Sequence, residues 1–372
     1  MKITRIETHA VRIPVIPEKK IVSSLGEHRE SRYVIVRLFT DDGLEGVGEA
    51  TVMPIWSGET VWGSQIVIDR ILGPAIIGCD PRQIDEINYR LDRACAHNWF
   101  CKAALEMACW DVHGKAAGKP VYELLGGAVR PLTFACRYSM GNYEPDRARR
   151  RATELVAEGF QTIKVKVGGP AEKDIERVRV IREAIGSDRR IVIDANCGWD
   201  ADTAIYAVNA MEPYNIDLVE QPTPDGDYAA IARVRKSVRP PVMADDMCFD
   251  MVHARELIRN DGCDVISLYP GKNAGISRSK AISEYAAAHG VACSIGSNLE
   301  LDIATAAMGH LVIACSNIKV ERYPGDVLGP VYHVARIAKN PLVIEGPNVS
   351  ISDRPGLGID VDWDVVKAYP CD

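Results

Sequence analysis

Two lysines lie two positions apart in the β-branched run Thr162-Ile163-Lys164-Val165-Lys166-Val167. A strand sends alternate side chains to opposite faces, so both ammonium groups point the same way. Like charges buried together push each other's pKa down, so something nearby must compensate them. Three carboxylates follow at strand-like intervals: Asp194 in Ile191-Val192-Ile193-Asp194, Glu220 in Asp217-Leu218-Val219-Glu220, and Asp245 in Pro241-Val242-Met243-Ala244-Asp245. Taken singly, an aspartate at a strand end is most often a turn former or helix cap. Three at the ends of consecutive strands converge on one point. An all-oxygen set suits a hard divalent ion, Mg²⁺ before Mn²⁺. Zinc would want His or Cys, and neither recurs at these positions. Asn196 shares a face with Asp194 and is a candidate for the metal shell or a substrate oxygen. Asp246 alternates to the other face and is not expected as a ligand.

A lysine beside a second ammonium and a dication should have a lowered pKa, which makes it a competent general base. The cation would hold a substrate carboxylate while the α-proton leaves, and such Lewis-acid help is worth several kcal/mol. A different enzyme class uses the same amines: a Schiff-base aldolase with Lys164 or Lys166 as the imine-forming group.

These residues need elements that hold them at one level. From Lys166 through Asp194, Glu220, Asp245, Tyr269 and Ser297 the steps are 28, 26, 25, 24 and 28 residues. A repeated βα unit of this size predicts a parallel sheet with crossover helices. A barrel is favoured, because its site collects residues from the C-terminal ends of several strands. An open doubly wound sheet would want an early Gly-rich phosphate turn, and none is convincing. Residues 1 to about 55 read instead as antiparallel strands, with Asp42-Gly43 as a hairpin turn. Residues 60 to about 118 read as helices, the last from Lys102 to Lys115. A β run is expected over Leu132 to Tyr138, ahead of a helix over Asp146 to Glu158.

The set Lys164-x-Lys166, Asp194-Ala-Asn196, Glu220-Gln-Pro and Asp245-Asp resembles the muconate lactonising subgroup of the enolase superfamily. Ala103-Ala-Leu-Glu106-Met-Ala-Cys-Trp110-Asp111 and Pro120-Val-Tyr-Glu-Leu-Leu-Gly-Gly127 look like that family's helix and linker ahead of the barrel. Arg354-Pro-Gly-Leu-Gly-Ile359-Asp looks like its C-terminal turn. The resemblance implies an α/β fold: an N-terminal α+β capping domain over residues 1–125, a modified (β/α)₇β TIM-type barrel over 126–325, and a C-terminal segment, 326–372, returning to the cap. It implies Asp194, Glu220 and Asp245 as Mg²⁺ ligands (Mn²⁺ as the alternative), Lys166 as the main acid/base and Lys164 as its electrostatic partner.

One departure bears on the reaction. The subgroup's sixth strand carries a lysine in a Leu-Lys-x-x-Lys-x-Gly-Gly context. Here the run is Leu268-Tyr269-Pro270-Gly271-Lys272-Asn273-Ala274-Gly275. Tyr269 takes the place of that lysine, and Lys272 matches the later one, outside the catalytic position. Tyrosine, with an ordinary pKa near 10, is a poor base at neutral pH and a good hydrogen-bond donor. Two-base racemisation or epimerisation is therefore less favoured than a muconate-type cycloisomerisation or a related lyase reaction, with dehydration of an acid sugar or hydroxy acid next. Glu300 lies just past the seventh strand, where it could hydrogen-bond the enolate oxygen or cap the next helix. Substrate contacts are expected from His28 and Trp56 in the cap, with Arg29 and Arg32 near them. Arg137 at the first barrel strand is a candidate clamp for a second carboxylate, beside Tyr138. Asn196 and Asn298 complete the set.

Composition narrows the partners. The 372 residues carry a net charge of -7 with no basic stripe, so nucleic acid is not expected. The 11 cysteines include no C-x-x-C pair, and Cys109, Cys263 and Cys293 sit in apolar runs that read as core, the usage of a reducing compartment. No apolar run reaches the roughly 18 residues of a membrane span. A cytoplasmic homo-oligomer acting on a small carboxylate is the expectation.

Overall fold

The computed structural model describes residues 1–371. The chain opens with β1 (Ile3–Pro14), a small hairpin of β2 (Ile21–Ser23) and β3 (Gly26–His28), then β4 (Glu30–Thr40) and β5 (Glu45–Val52). β1, β4 and β5 form an antiparallel sheet with β4 central. The Asp42-Gly43 turn joins β4 to β5, with Gly43 at φ 85°. The helix Trp99–Ala117 lies on β5 and is buried nearly all round. Its backbone comes so close that a Cβ on Gly46 or Gly48 would strike the carbonyls of Ala108 or Ala104. The two glycines of Glu45-Gly46-Val47-Gly48-Glu49 thus permit the close approach.

The expected strand over Leu132–Tyr138 is two strands. β6 (Thr133–Ala135) and β7 (Tyr138–Met140) are separated at Cys136-Arg137. β6 pairs antiparallel with the late hairpin of β14 (Val343–Glu345) and β15 (Asn348–Ser350). β7 turns inward and begins the barrel. There follow β8 (Thr162–Lys166), β9 (Arg190–Asp194), β10 (Ile216–Glu220), β11 (Val242–Ala244), β12 (Val265–Leu268) and β13 (Ala292–Ile295), with helices between them. These seven strands pair in sequence order, all parallel. An irregular segment over 318–326 acts as the eighth stave. Ile318 bridges Cys293, the amide of Asp326 donates to the Ile295 carbonyl, and the amide of Arg137 donates to the Gly325 carbonyl. The expected modified barrel with a separate cap is the architecture found.

Register sets the height of the charged residues. Lys166 pairs with Asp194, and Asp194 with Glu220, so the three stand abreast. One inward step below them Val192, Leu218, Met243 and Val265 form an apolar plug that fills the barrel. The polar layer therefore sits on a packed floor at the C-terminal mouth. The C-terminal segment binds the cap through bridges from Pro370 to Val11 and from His333 to Val15. No helix among the described residues is long and apolar enough to cross a membrane.

Candidate active site

Strand alternation brings Lys164 and Lys166 to the barrel mouth on one face, as the sequence predicts, both buried. The Lys166 ammonium donates to Asp194 Oδ2 and Asn196 Oδ1, each at 2.6 Å. The Lys164 ammonium lies 3.1 Å from Asp194, 3.0 Å from Glu220 and 2.6 Å from Asp326. Burial alone would push its ammonium down, but Asp326, Glu220 and Asp194 outweigh burial and hold it well above the ordinary lysine range. The compensating charge is adjacent to the lysine itself, closer than the strand spacing alone suggested.

Arg137 is fully buried at the start of the barrel. Its Nη2 donates to Glu220 at 2.7 Å, and Nε and Nη2 both reach Asp326 at 3.0 Å. A fork standing free to clamp a second substrate carboxylate is not the arrangement found, because Glu220 and Asp326 of the chain itself already occupy it. Only Nη1 has no partner. Asp245 is held by Tyr269 Oη at 2.8 Å and by Lys272 Nζ at 2.7 Å. Lys272 also donates to the carbonyls of Asp245 and Ser267, and it does not line the cavity. Burial and then Asp245 raise the Tyr269 hydroxyl well above its ordinary pKa, so the phenol keeps its proton.

Asp246 corrects a second expectation. β11 ends at Ala244, the chain turns there, and strand alternation no longer applies. Asp246 lines the same cavity as Asp194, Glu220 and Asp245, and accepts from Asn196 Nδ2 at 3.3 Å. Burial, then Asp245 and Asp194, push its carboxyl up to about 7. Glu220 is likewise raised well above the carboxylate range, by burial against the opposing pull of Arg137.

Counting the groups tests whether a dication fits. Asp194, Glu220, Asp245, Asp246 and Asp326 make five carboxylates; Arg137, Lys164, Lys166 and Lys272 make four cations. Fully ionised, the cluster has a surplus negative charge before any carboxylate substrate enters. Among the described residues no trio of His, Cys, Asp or Glu closes directly on a metal ion. Instead the Lys164 ammonium stands in as the cation shared by Asp194 and Glu220. A buried, negatively biased, all-oxygen cluster whose members already share one cation fits a hard divalent ion.

The cavity is roofed by the cap. Ile21, Leu25, His28, Met53 and Trp56 face Lys166, Asn196, Tyr269 and Asn298 across it. The β2–β3 hairpin is pinned to the barrel by Ser24, whose hydroxyl donates to the Asn196 carbonyl at 2.7 Å. Trp56 packs against Tyr269, Phe100 and Phe249. Asn298 lines the cavity while its amide donates to the Thr51 carbonyl, tying the seventh-strand loop to the cap. His28 also lines it. Arg29 and Arg32 do not; they pair with Glu27 and Glu30. Tyr138 is buried against Phe160 and Tyr332. Glu300 is buried but wrapped in its own turn, accepting from Ser297 Oγ at 2.6 Å and from the Asn298 amide at 2.9 Å. It caps that turn and does not line the cavity. Sequence reasoning missed Asp326, which lies in Tyr323-Pro324-Gly325-Asp326, a stretch with no strand pattern to place it.

Comparison with known proteins gives the same picture over the whole chain. The model of the mandelate racemase/muconate lactonizing enzyme N-terminal domain matches residues 5–126, and the enolase C-terminal domain-like model matches residues 147–365. A hydrophobic dipeptide epimerase of Enterococcus faecalis is 35% identical over 96% of this chain and 99% of its own. A chloromuconate cycloisomerase of Delftia acidovorans is 29% identical over 99% of each. The crystal structure of the Enterococcus faecalis dipeptide epimerase, complexed with Mg and the dipeptide L-Leu-L-Tyr, superposes with a TM-score of 0.92 at 33% identity, covering 97% of this chain and 100% of that one.

Proposed function

The chain belongs to the mandelate racemase/muconate lactonizing enzyme family of the enolase superfamily, and from that premise we propose that it moves the α-proton of a small carboxylate on one face only, as a cycloisomerase or related lyase. The observation that carries this reading is Tyr269. β8 and β12 are four staves apart in an eight-stave ring, so Lys166 and Tyr269 face each other across the site. A protonated phenol bonded to Asp245 offers a donor and no base.

Asp194, Glu220 and Asp245 would hold Mg²⁺, with Mn²⁺ as the alternative ion. The metal supplies positive charge to the substrate carboxylate and to the deprotonated form it passes through. Lys166 Nζ gives or takes the α-proton, oriented by Asp194 and Asn196. Lys164 and Arg137 fix Glu220 and Asp326 at the mouth. Trp56, Leu25 and Met53 of the cap shield the reacting centre from water. Glu300 acts by holding the Ser297–Asn298 turn that carries the cavity-lining amide of Asn298.

A second reading, epimerisation, is favoured by the likeness to the dipeptide epimerase. It needs a base on the face opposite Lys166, and the amine beside Tyr269 is the buried Lys272, bound to Asp245 and lying 4.3 Å from the centre of the Tyr269 ring. Dehydration of an acid sugar or hydroxy acid uses the same one-faced proton transfer as the primary reading.

A panel of dicarboxylates, acid sugars and dipeptides tests the class of chemistry. Turnover should be lost in EDTA and restored by Mg²⁺, with no lysine adduct trapped by borohydride. Metal-independent turnover with a trapped adduct would assign the protein to the imine-forming aldolases instead.

A further inference from the structure

The cap wall of the cavity carries a hydrogen-bonded chain that ends on the cavity-lining residue His28. His28 Nε2 lies 2.6 Å from Ser31 Oγ, a distance at which a ring carbon would clash, so the ring orientation follows. On its other side Ser31 Oγ lies 2.9 Å from His333 Nε2. His333 Nδ1 in turn faces the Gly329 carbonyl at 3.0 Å. Tyr33 Oη contacts both His333 Nε2 and the Leu299 carbonyl, each at 2.8 Å.

The protons can be placed by counting them. A carbonyl only accepts, so Gly329 requires the proton of His333 on Nδ1. Burial holds that imidazole neutral, its pKa down at about 4, so Nε2 is left as an acceptor. The Leu299 carbonyl takes the Tyr33 proton by the same rule. The single proton of Ser31 then serves His333, and Ser31 Oγ must accept from His28. Reversing the Ser31 proton leaves two short contacts without a proton; this arrangement leaves one.

We infer that His28 carries its proton on Nε2 and presents a bare Nδ1 acceptor to the cavity, so that the substrate is a carboxylate whose far end bears an N–H or O–H donor and not a second carboxylate. Nδ1 makes no hydrogen bond within the described residues. The rest of the cap wall is consistent with this: Ile21, Ser23, Leu25, Glu27, Met53 and Trp56 include no cation. The three cations that do line the cavity, Arg137, Lys164 and Lys166, are engaged by carboxylates on the barrel floor. A second carboxylate at the cap would meet the Nδ1 lone pair, while Glu27 beside it is already paired with Lys20 and Arg29. The assignment of the substrate end rests on the α-proton reading of the site, whereas the tautomer does not. It also separates this pocket from muconate itself, a dicarboxylate, and so, within the proposed class, favours the lyase reaction over a muconate-type cycloisomerisation.

Two measurements on the full chain with Mg²⁺ present test it. The first is the ¹⁵N imidazole spectrum, in which His28 should show a protonated Nε2 and an unprotonated Nδ1. The second is calorimetric binding of four probes that share the tyrosine carboxylate and differ in the group at the far end. L-Leu-L-Tyr carries ammonium donors, and its analogue with a hydroxyl in place of the ammonium carries an O–H donor. The N-trimethylated dipeptide keeps the charge without a donor, and N-succinyl-L-tyrosine ends in a carboxylate. The donor-bearing probes should bind about tenfold more tightly than the other two, the better of them telling N–H from O–H. The substitution His28→Phe should bring all four within about threefold. A His28 protonated on Nδ1, a succinyl probe as tight as the dipeptide, an order unchanged by His28→Phe, or no binding by any probe would overturn the proposal. Loss of α-proton exchange with the binding order intact would instead count against the reaction and leave the pocket assignment standing.

Discussion

Lys166 and Tyr269 face one cavity from opposite staves, and their chemistry differs. In the proposed reaction the lysine exchanges the proton, whereas the phenol donates to Asp245 and stays protonated. Replacing Lys166 by Ala should therefore reduce α-proton exchange by about 10³-fold, within the range that a positioned acid/base contributes. Tyr269→Phe removes one of the donors on Asp245 and no proton carrier, so exchange should survive within about tenfold. Comparing the two variants by NMR in D₂O checks this; a Tyr269→Phe protein as dead as Lys166→Ala would make the phenol a catalyst. The lysines and three of the carboxylates were legible because they sit inside or at the end of strands, where alternation decides direction. Asp246 and Asp326 were not, since one follows the turn after β11 and the other lies in the irregular eighth stave. The charge that most raises the Lys164 ammonium comes from Asp326, the residue the pattern hid.

At the level of elements, the docking of cap onto barrel depends on few groups. Glu49 within β5 is fully buried and accepts from the amides of Leu301 and Ala304, capping the helix Asp302–Ala314 of the barrel. Burial, opposed by those amides, pushes its carboxyl up to about 8. The folded chain then holds a proton that the unfolded chain releases above about 4.5. This contribution to stability is full below that pH and is lost as pH rises through about 8. Denaturant unfolding of the wild type minus Glu49→Gln should thus fall across pH 5 to 8 by at most about 1.4 kcal/mol per unit. A flat difference would show that Glu49 is charged when folded. The β5 glycines give a second test. Gly48→Ala forces a methyl into the backbone of the helix Trp99–Ala117 and should cost about 1–3 kcal/mol or more, read as a lower urea midpoint. The sequence pattern located the barrel's βα units to within a residue or two, because buried parallel strands are uniform runs between polar turns. It merged β6 with β7, since nothing local marks the change of partner at Cys136-Arg137, which only the late β14–β15 hairpin imposes.

For the whole molecule, the site exists only where cap and barrel meet, and its charge imbalance comes from the barrel. The barrel brings five carboxylates and four cations; the cap brings an apolar roof with no cation. A dication should therefore bind the intact protein and stabilise it: at 100-fold excess over its dissociation constant Mg²⁺ should add about 2.7 kcal/mol. Thermal unfolding with and without Mg²⁺ checks this. The shift should shrink sharply in Glu220→Gln, and an equal shift in both proteins would place the ion elsewhere. The two-domain architecture was readable from the change of style near residue 131, from strand and helix blocks to alternation. The roof over the site was not, because it depends on a hairpin of two three-residue strands held by Ser24 to a carbonyl far away in sequence. The central claim is that one lysine works on one face. It is tested most directly by incubating enzyme, Mg²⁺ and an optically pure substrate in D₂O, and following deuterium at the α-carbon together with its configuration. The account predicts deuterium entering with configuration retained, and none entering with Lys166→Ala. Deuterium entering with inversion at a comparable rate would contradict it and require a second base opposite Lys166.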